Sequence, residues 1–240
     1  MRPKYAGQLI NEYLREGKLA ANRSVPIGAG ANAVVYASDV PGNVMKQSHR
    51  ADEYGDIERE ANLQAIAAEM GIAPRLAGVE TFPRGIGNRI EMADVRQNYK
   101  SLPVDRILGS QPVSSYALPG TPKDLQEFAV RQAQQMGQLA LKGVRLEDRH
   151  AGNVMRHKMT GRPMQLDFGI AGRVKDSEQV ATLALATAEG FEAAGIGDVG
   201  SIYLATVMDL LEGGDVKDAM DVAKQGFSRL QKLKAPIKYS

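Results

Sequence analysis

The sequence predicts an α+β protein with a small, sheet-rich N-terminal part and a larger, mainly helical C-terminal part. Two patterns lead to this prediction: Val-rich segments broken by glycines over residues 25–46, and long stretches of helical periodicity after residue 124. Between them, residues 99–123 are rich in proline, serine and glycine, a composition typical of a connector or surface excursion. We therefore predict two lobes, over residues 1–94 and 95–240.

The N-terminal lobe is expected to hold a small antiparallel sheet and one packed helix. A turn at Pro41-Gly42 separates two strand-like runs, and Gly71 and Pro74 stop a helical pattern that begins near residue 56. Apolar residues at helical spacing over residues 5–14 also predict an amphipathic helix that ends at Gly17, which is a candidate for docking on a partner or packing on its own domain. The predicted elements of this lobe are strands within 25–46, a helix over 56–70, and strands over 78–82 and 88–92.

The C-terminal lobe is expected to be helical around one short hairpin. Apolar runs at 153–155 and 164–166 flank the Thr160-Gly161 turn and predict two paired strands. The predicted helices cover residues 124–141, 177–194, 199–212 and 215–233.

Composition excludes several classes of protein. Hydrophobic residues make up 43% of the chain and charged residues 24%, as in folded globular proteins. A net charge of +2 is too small to indicate nucleic acid or a membrane surface as the partner. With no cysteine, and with three histidines at no metal-ligand spacing, neither a disulfide nor a structural zinc site is expected. No signal peptide or membrane span is expected either, and we predict a cytoplasmic protein.

A glycine loop lies between the first two predicted strands. Without side chains at Gly28 and Gly30, backbone N–H groups can approach phosphate oxygens, which require many donors and little steric bulk. Glycine loops joining strands are common, so this segment on its own is a weak signal.

Lys46 lies on the strand after the Pro41-Gly42 turn, where its ammonium group can reach the same loop and neutralise phosphate charge. A semi-buried lysine needs a carboxylate to orient it, and both Glu58 and Glu60 lie on the next predicted helix. Spacing alone does not choose between the two glutamates. A solvated strand lysine is the plain alternative.

Three polar residues follow around the predicted hairpin of the second lobe. Asp148 precedes its first strand, Asn153 begins that strand, and Asp167 follows its second strand. Hairpin pairing brings the last two together. Phosphoryl transfer requires hard oxygen ligands for Mg²⁺ and a separate carboxylate that orients the attacking hydroxyl, which is the set of groups found here.

These features, in this order, resemble the protein-kinase-like superfamily: a glycine loop, a strand lysine, a helix glutamate, a D-x-x-x-x-N loop and D-F-G. The resemblance covers roughly residues 25–173 and implies a two-lobed kinase-like fold using ATP and Mg²⁺. It assigns Asp148 as catalytic base, Asn153 and Asp167 as Mg²⁺ ligands, and Lys46 as the partner of the α- and β-phosphates. Glu60 is the better match for the carboxylate that pairs with the lysine.

The resemblance also places adenine. Val35 and Val44 would flank the ring, and backbone groups at Glu91 and Ala93 would meet its edge. The D-R-H-x-x-N-V-M stretch is similar to phosphoinositide-kinase-like enzymes, and the same loop is similar to aminoglycoside and choline kinases.

The sequence departs from the family pattern at three places. Ala33 replaces the third loop glycine, Leu146 stands where many protein kinases have histidine, and no A-P-E segment follows Gly169. A conventional activation segment is therefore not expected. We predict a Ser/Thr protein kinase; the alternatives are a small-molecule kinase, or a nucleotide-binding scaffold without transfer activity.

Overall fold

The structure is a computed structural model. It describes residues 26–29, 33–48, 57–80, 88–102, 123–149 and 151–233. The chain divides into two compact units, an N-terminal unit ending at Gln97 and a C-terminal unit beginning at Asn98. This division lies close to the lobe boundary predicted near Asp94.

An antiparallel five-stranded sheet in the order β1-β2-β3-β5-β4 forms the N-terminal unit. The turn between β2 and β3 contains Gly42 at φ 84°, a conformation that glycine adopts without strain. The strands are β1 (Pro26–Ala29), β2 (Ala33–Ala37), β3 (Asn43–Ser48), β4 (Leu76–Glu80) and β5 (Arg89–Ala93).

Helix α1 (Ile57–Glu69) covers one face of this sheet. Its residues Ile57 and Ala61 join Val44, Ile90 and Met92 in one buried cluster. Val44 and Ile90 come from neighbouring strands, so burial of these side chains fixes which face of the sheet meets the helix.

The C-terminal unit contains a three-stranded sheet, which includes the predicted hairpin, and a separate strand pair. The three-stranded sheet has the order β6-β8-β9, and β7 pairs with β10. The strands are β6 (Tyr99–Ser101), β7 (Val144–Arg145), β8 (Val154–His157), β9 (Pro163–Gln165) and β10 (Gly172–Arg173).

Four α-helices make up most of the rest of the described C-terminal unit, and a 3-10 turn at Ala151–Asn153 precedes β8. The α-helices are α2 (Lys123–Leu141), α3 (Asp176–Ala193), α4 (Gly197–Glu212) and α5 (Val216–Lys232). Glycines let them approach closely: a Cβ added at Gly137 would lie 2.1 Å from the ring of Phe227, and one at Gly226 would lie 2.2 Å from the ring of Tyr203. The core of this unit is therefore a helix bundle in which aromatic rings pack directly on the backbone of neighbouring helices.

The α+β prediction is confirmed, with a small antiparallel sheet and several helices. Two strand pairings were not predicted: residues 99–101, interpreted as the start of a connector, form β6, and the two-residue strands β7 and β10 pair. Strands this short carry no periodic pattern that a sequence could reveal. The predicted helix over residues 5–14 lies outside the described residues. None of the described helices is long and apolar enough to span a bilayer.

Candidate active site

An ion pair joins β3 to α1 in the N-terminal unit. Lys46 Nζ lies 2.6 Å from Glu60 Oε1, and only 12% and 10% of the two side chains are exposed. Lys46 pairs with Val35 on β2 and Ile90 on β5, so the sheet holds it from both sides. Glu58 is exposed. Of the two candidate glutamates, the structure thus brings Glu60 to the lysine.

The residues predicted to flank adenine lie on the same sheet. Val44 is buried and two positions before Lys46, so both side chains lie on one face of β3. Val35 is half-buried and packs against the Val44 cluster. Gly28 lies on β1 opposite Val35, while Gly30 lies outside the described residues.

Glu91 and Ala93 belong to β5. Glu91 pairs with Met45, so its side chain lies on the opposite face from Lys46. Its carboxylate accepts hydrogen bonds from the Ser38 hydroxyl and, at 3.2 Å, from the Asn43 amide. The N–H of Ala93 donates to the Arg75 carbonyl at 2.8 Å. The contact of these two backbone positions with adenine stays a prediction. The Ala93 N–H already donates to Arg75, so other backbone groups would have to make that contact.

An ion pair lies directly after the end of β5. Arg96 Nη2 lies 2.6 Å from Asp94 Oδ2, and its Nε donates to Asp94 Oδ1 at 2.9 Å. This side-chain hydrogen bonding lowers the pKa of Asp94. Asp94 is therefore a carboxylate at neutral pH.

Asp148 and Asn153 lie in one loop of the C-terminal unit. The Asn153 amide nitrogen donates to the Asp148 carbonyl oxygen at 3.2 Å, which ties the loop to the start of β8. With one N–H of its amide donated to that carbonyl, the Asn153 side chain keeps Oδ1 as its acceptor oxygen. Both side chains are half-buried.

Asp167 reaches the same place through the hairpin. Val154 pairs with Gln165, and Leu166 N donates to the Asn153 carbonyl at 2.8 Å, so the chain passes directly from β9 to Asp167 beside Asn153. The Gly169 N–H donates to Asp167 Oδ1 at 2.9 Å and fixes the carboxylate. The predicted hairpin therefore brings Asn153 and Asp167 to one end of the β8–β9 pair.

The donor set on this hairpin fits Mg²⁺. The ion prefers oxygen ligands and keeps several waters, so one carboxylate and one amide oxygen, completed by substrate phosphates, suffice. The described residues contain no group of three or more His, Cys, Asp or Glu that would form a dedicated all-protein cage. Asp167 and Asn153 would hold the ion.

The segment after D-F-G is short and closed by backbone pairing. Phe168 is fully buried, and the Ala171 N–H donates back to its carbonyl at 3.0 Å. β10 then pairs with β7, and Val174 N donates to the Gly143 carbonyl at 2.9 Å. Gly143 has φ 69°, and a Cβ there would lie 2.8 Å from the Val174 oxygen, so the turn requires glycine.

One ion pair beside the loop was not predicted. Arg149, the residue after Asp148, forms two hydrogen bonds with Glu189 on α3, at 2.6 and 2.9 Å. The two residues are 40 positions apart, and Glu189 stands among small and apolar residues of a helix. No spacing rule links them, because the contact depends on how α3 packs.

Comparison with known proteins gives structural likeness only. No family model matches the chain, and no curated protein matches its sequence.

The similar solved structures include kinase domains. The Mycobacterium tuberculosis PknI kinase domain is 15% identical with a TM-score of 0.47, over 85% of this chain and 94% of that one. A double mutant of the same domain is 16% identical with a TM-score of 0.47, over 87% and 95%. The Cydia pomonella granulovirus kinase PK-1 is 11% identical with a TM-score of 0.46, over 78% and 74%.

At this level of likeness neither activity nor substrate follows from the neighbours. What the chain can do has to follow from the geometry of its own residues.

Proposed function

We propose that this chain is an ATP- and Mg²⁺-dependent phosphotransferase that moves the γ-phosphate to a hydroxyl group. The observation that carries the proposal is the β8–β9 hairpin, whose register and Leu166–Asn153 hydrogen bond bring Asn153 and Asp167 together. The Lys46–Glu60 pair of the N-terminal unit, whose side chains are mostly shielded from solvent, supports it, because a lysine held by a carboxylate is oriented for phosphate.

Each residue has a separate task in this proposal. Mg²⁺, when bound, supplies positive charge at the phosphates, and Asp167 and Asn153 hold it. Lys46 binds the α- and β-phosphates. Asp148 accepts the proton of the acceptor hydroxyl as the hydroxyl oxygen bonds to the γ-phosphorus. The bond from that phosphorus to the bridging oxygen breaks, and ADP leaves.

We propose that the preferred acceptor is a serine or threonine hydroxyl in a protein, as expected from the kinase resemblance. One observation favours a small molecule instead. Only residues 170–175 lie between Gly169 and α3, and the turn at Ala171 and the β10–β7 pairing occupy much of that segment. Such a segment leaves little free backbone with which to bind an extended peptide.

Incubation with Mg²⁺ and γ-labelled ATP, followed by intact-mass measurement of the protein, tests the proposal. Phosphate mass added to the protein would support protein acceptors, whereas ATP consumption that requires an added small hydroxyl compound and leaves the protein mass unchanged would support a small molecule. ATP binding without turnover, both alone and with such compounds added, would reject the phosphotransferase and favour a nucleotide-binding scaffold.

A further inference from the structure

The Arg149–Glu189 ion pair has the geometry of a rigid support. Arg149 Nη1 donates to Glu189 Oε2 at 2.6 Å and Nη2 donates to Oε1 at 2.9 Å, so each terminal guanidinium nitrogen meets a different carboxylate oxygen. Such a fork-to-fork pair fixes orientation as well as distance. Each partner therefore limits the rotation of the other.

Both side chains of this pair are less exposed than the acidic partners of the other ion pairs described in the C-terminal unit. The Arg149 and Glu189 side chains are 25% and 22% exposed. The pairs made by Arg145 and Arg156 each include a partner that is 45% to 56% exposed. Exposed pairs are screened by water and contribute little to geometry, whereas a shielded bidentate pair holds its position.

Glu189 projects from a well-packed part of α3. Its neighbours Thr187, Gly190 and Phe191 are all buried. A Cβ on Gly190 would lie 2.5 Å from Leu230, so α3 and α5 are in close contact at this turn. The carboxylate thus stands on a support that does not move easily.

Two contacts hold the loop, one at Asp148 itself and one at the residue that follows it. The Asp148 carbonyl accepts from Asn153 at 3.2 Å, and the next residue is held through its side chain by Glu189. If either attachment is lost, the backbone that carries the Asp148 carboxylate gains freedom. A proton acceptor has to lie within hydrogen-bond reach of the hydroxyl, so a displacement of about 1 Å lowers the rate steeply.

We propose that Glu189 is a positioning residue, which acts through Arg149 to place the Asp148 carboxylate for proton transfer. The inference rests on the proposed phosphotransferase function and adds a residue to it. ATP binding is assigned to other residues, so losing the pair should change the rate of transfer and leave affinity for Mg²⁺·ATP nearly unchanged.

The first measurement compares Glu189→Gln with Glu192→Gln, an exposed glutamate on the last turn of the same helix. Turnover of γ-labelled ATP should fall about tenfold or more in Glu189→Gln, with the Kd for Mg²⁺·ATP within about twofold of wild type. Glu192→Gln should match wild type in both. Wild-type turnover for Glu189→Gln, or an equal loss in both variants, would overturn the role.

A double-mutant cycle separates positioning from a general structural effect. Because Glu189 acts through Arg149, Glu189→Gln should have no further effect on turnover in an Arg149→Ala protein. An undiminished further loss there would show that Glu189 acts by another route and would reject the proposal. Turnover is measured well below the unfolding temperature of each variant, so that lower stability alone does not reduce it.

Amide hydrogen exchange keeps this test distinct from that of the proposed function. In Glu189→Gln, residues 146–149 should exchange faster than in Glu192→Gln, because the loop opens locally. If wild type binds ATP without turnover, the phosphotransferase proposal fails and exchange still decides whether Glu189 holds the loop. Unchanged exchange would reject the positioning role whatever the activity.

Discussion

The two units hold their candidate site residues in different ways. In the N-terminal unit, Lys46 and Glu60 come from a strand and a helix, and only packing of α1 on the sheet brings them together. In the C-terminal unit, Asp148, Asn153 and Asp167 lie on one loop and one hairpin, joined by hydrogen bonds between near neighbours in space and sequence. The first arrangement depends on tertiary packing, and the second depends mainly on local pairing.

The largest effects are expected in the locally built site. Asp167→Ala removes a ligand that would hold Mg²⁺, so it should weaken Mg²⁺-dependent ATP binding and abolish transfer. Asp148→Asn keeps the shape and loses the charge, so ATP affinity should stay within a few-fold while the rate drops by roughly 10² or more. Titration with ATP and turnover assays separate the two variants. Equal loss of ATP binding in both would make Asp148 a metal ligand or a structural residue.

The next effect concerns stability of the helix bundle behind that site. Gly137→Ala places a methyl group where the buried Phe227 ring lies 2.1 Å away, so it should cost about 3 kcal/mol of unfolding free energy. Gly197→Ala, whose added Cβ would lie 3.9 Å from Glu192, is the matched control and should stay within about 1 kcal/mol of wild type. Circular dichroism during denaturant unfolding measures both. Equal midpoints for the two variants would mean that Phe227 moves aside freely.

A smaller effect tests the packing-dependent pair. Glu60→Gln removes the charge that orients Lys46, and the rate at subsaturating ATP should fall about tenfold, equal to about 1.4 kcal/mol. Glu58→Gln, on the exposed side of the same turn, should change the rate less than twofold. A larger loss of rate in Glu58→Gln than in Glu60→Gln would show that Glu58, and not Glu60, orients Lys46.

The smallest effect is a dependence of stability on pH. Burial raises the pKa of Tyr203 from 10.0 to about 12, against a weaker opposing hydrogen bond with Thr187. The folded state keeps the phenol proton more tightly than the unfolded state does, so this contribution is complete below pH 10 and is lost as pH rises toward 12. Unfolding midpoints of wild type and Tyr203→Phe should converge over that interval. Parallel pH profiles would show that Tyr203 does not contribute.

The same contrast explains what the sequence could predict. The hairpin and its two polar residues, Asn153 and Asp167, were recognisable because their positions follow from local strand pairing and a short turn. The choice of Glu60 over Glu58 followed only from the family resemblance, since the two positions differ by which face of α1 packs on the sheet. The spacing of the two glutamates does not show which face of α1 packs, whereas the contacts between α1 and the sheet do.

Other parts of the molecule carried no readable pattern. The strand β6 lies in a segment next to the proline-rich stretch, and its pairing with β8 joins Tyr99 to His157. The Arg149–Glu189 pair joins a loop to a helix 40 residues later. Both depend on contacts between distant segments, which a single sequence does not reveal.

The close contact of Gly137 with Phe227 bears on the order in which the protein can mature during synthesis. Phe227 and Leu230 reach the core from α5, the last described helix, and Glu189 comes from α3. The loop that carries Asp148 leaves the ribosome before either helix. Its final geometry therefore has to wait for later parts of the chain, so a nascent chain stopped before α5 should expose the apolar core to chaperones.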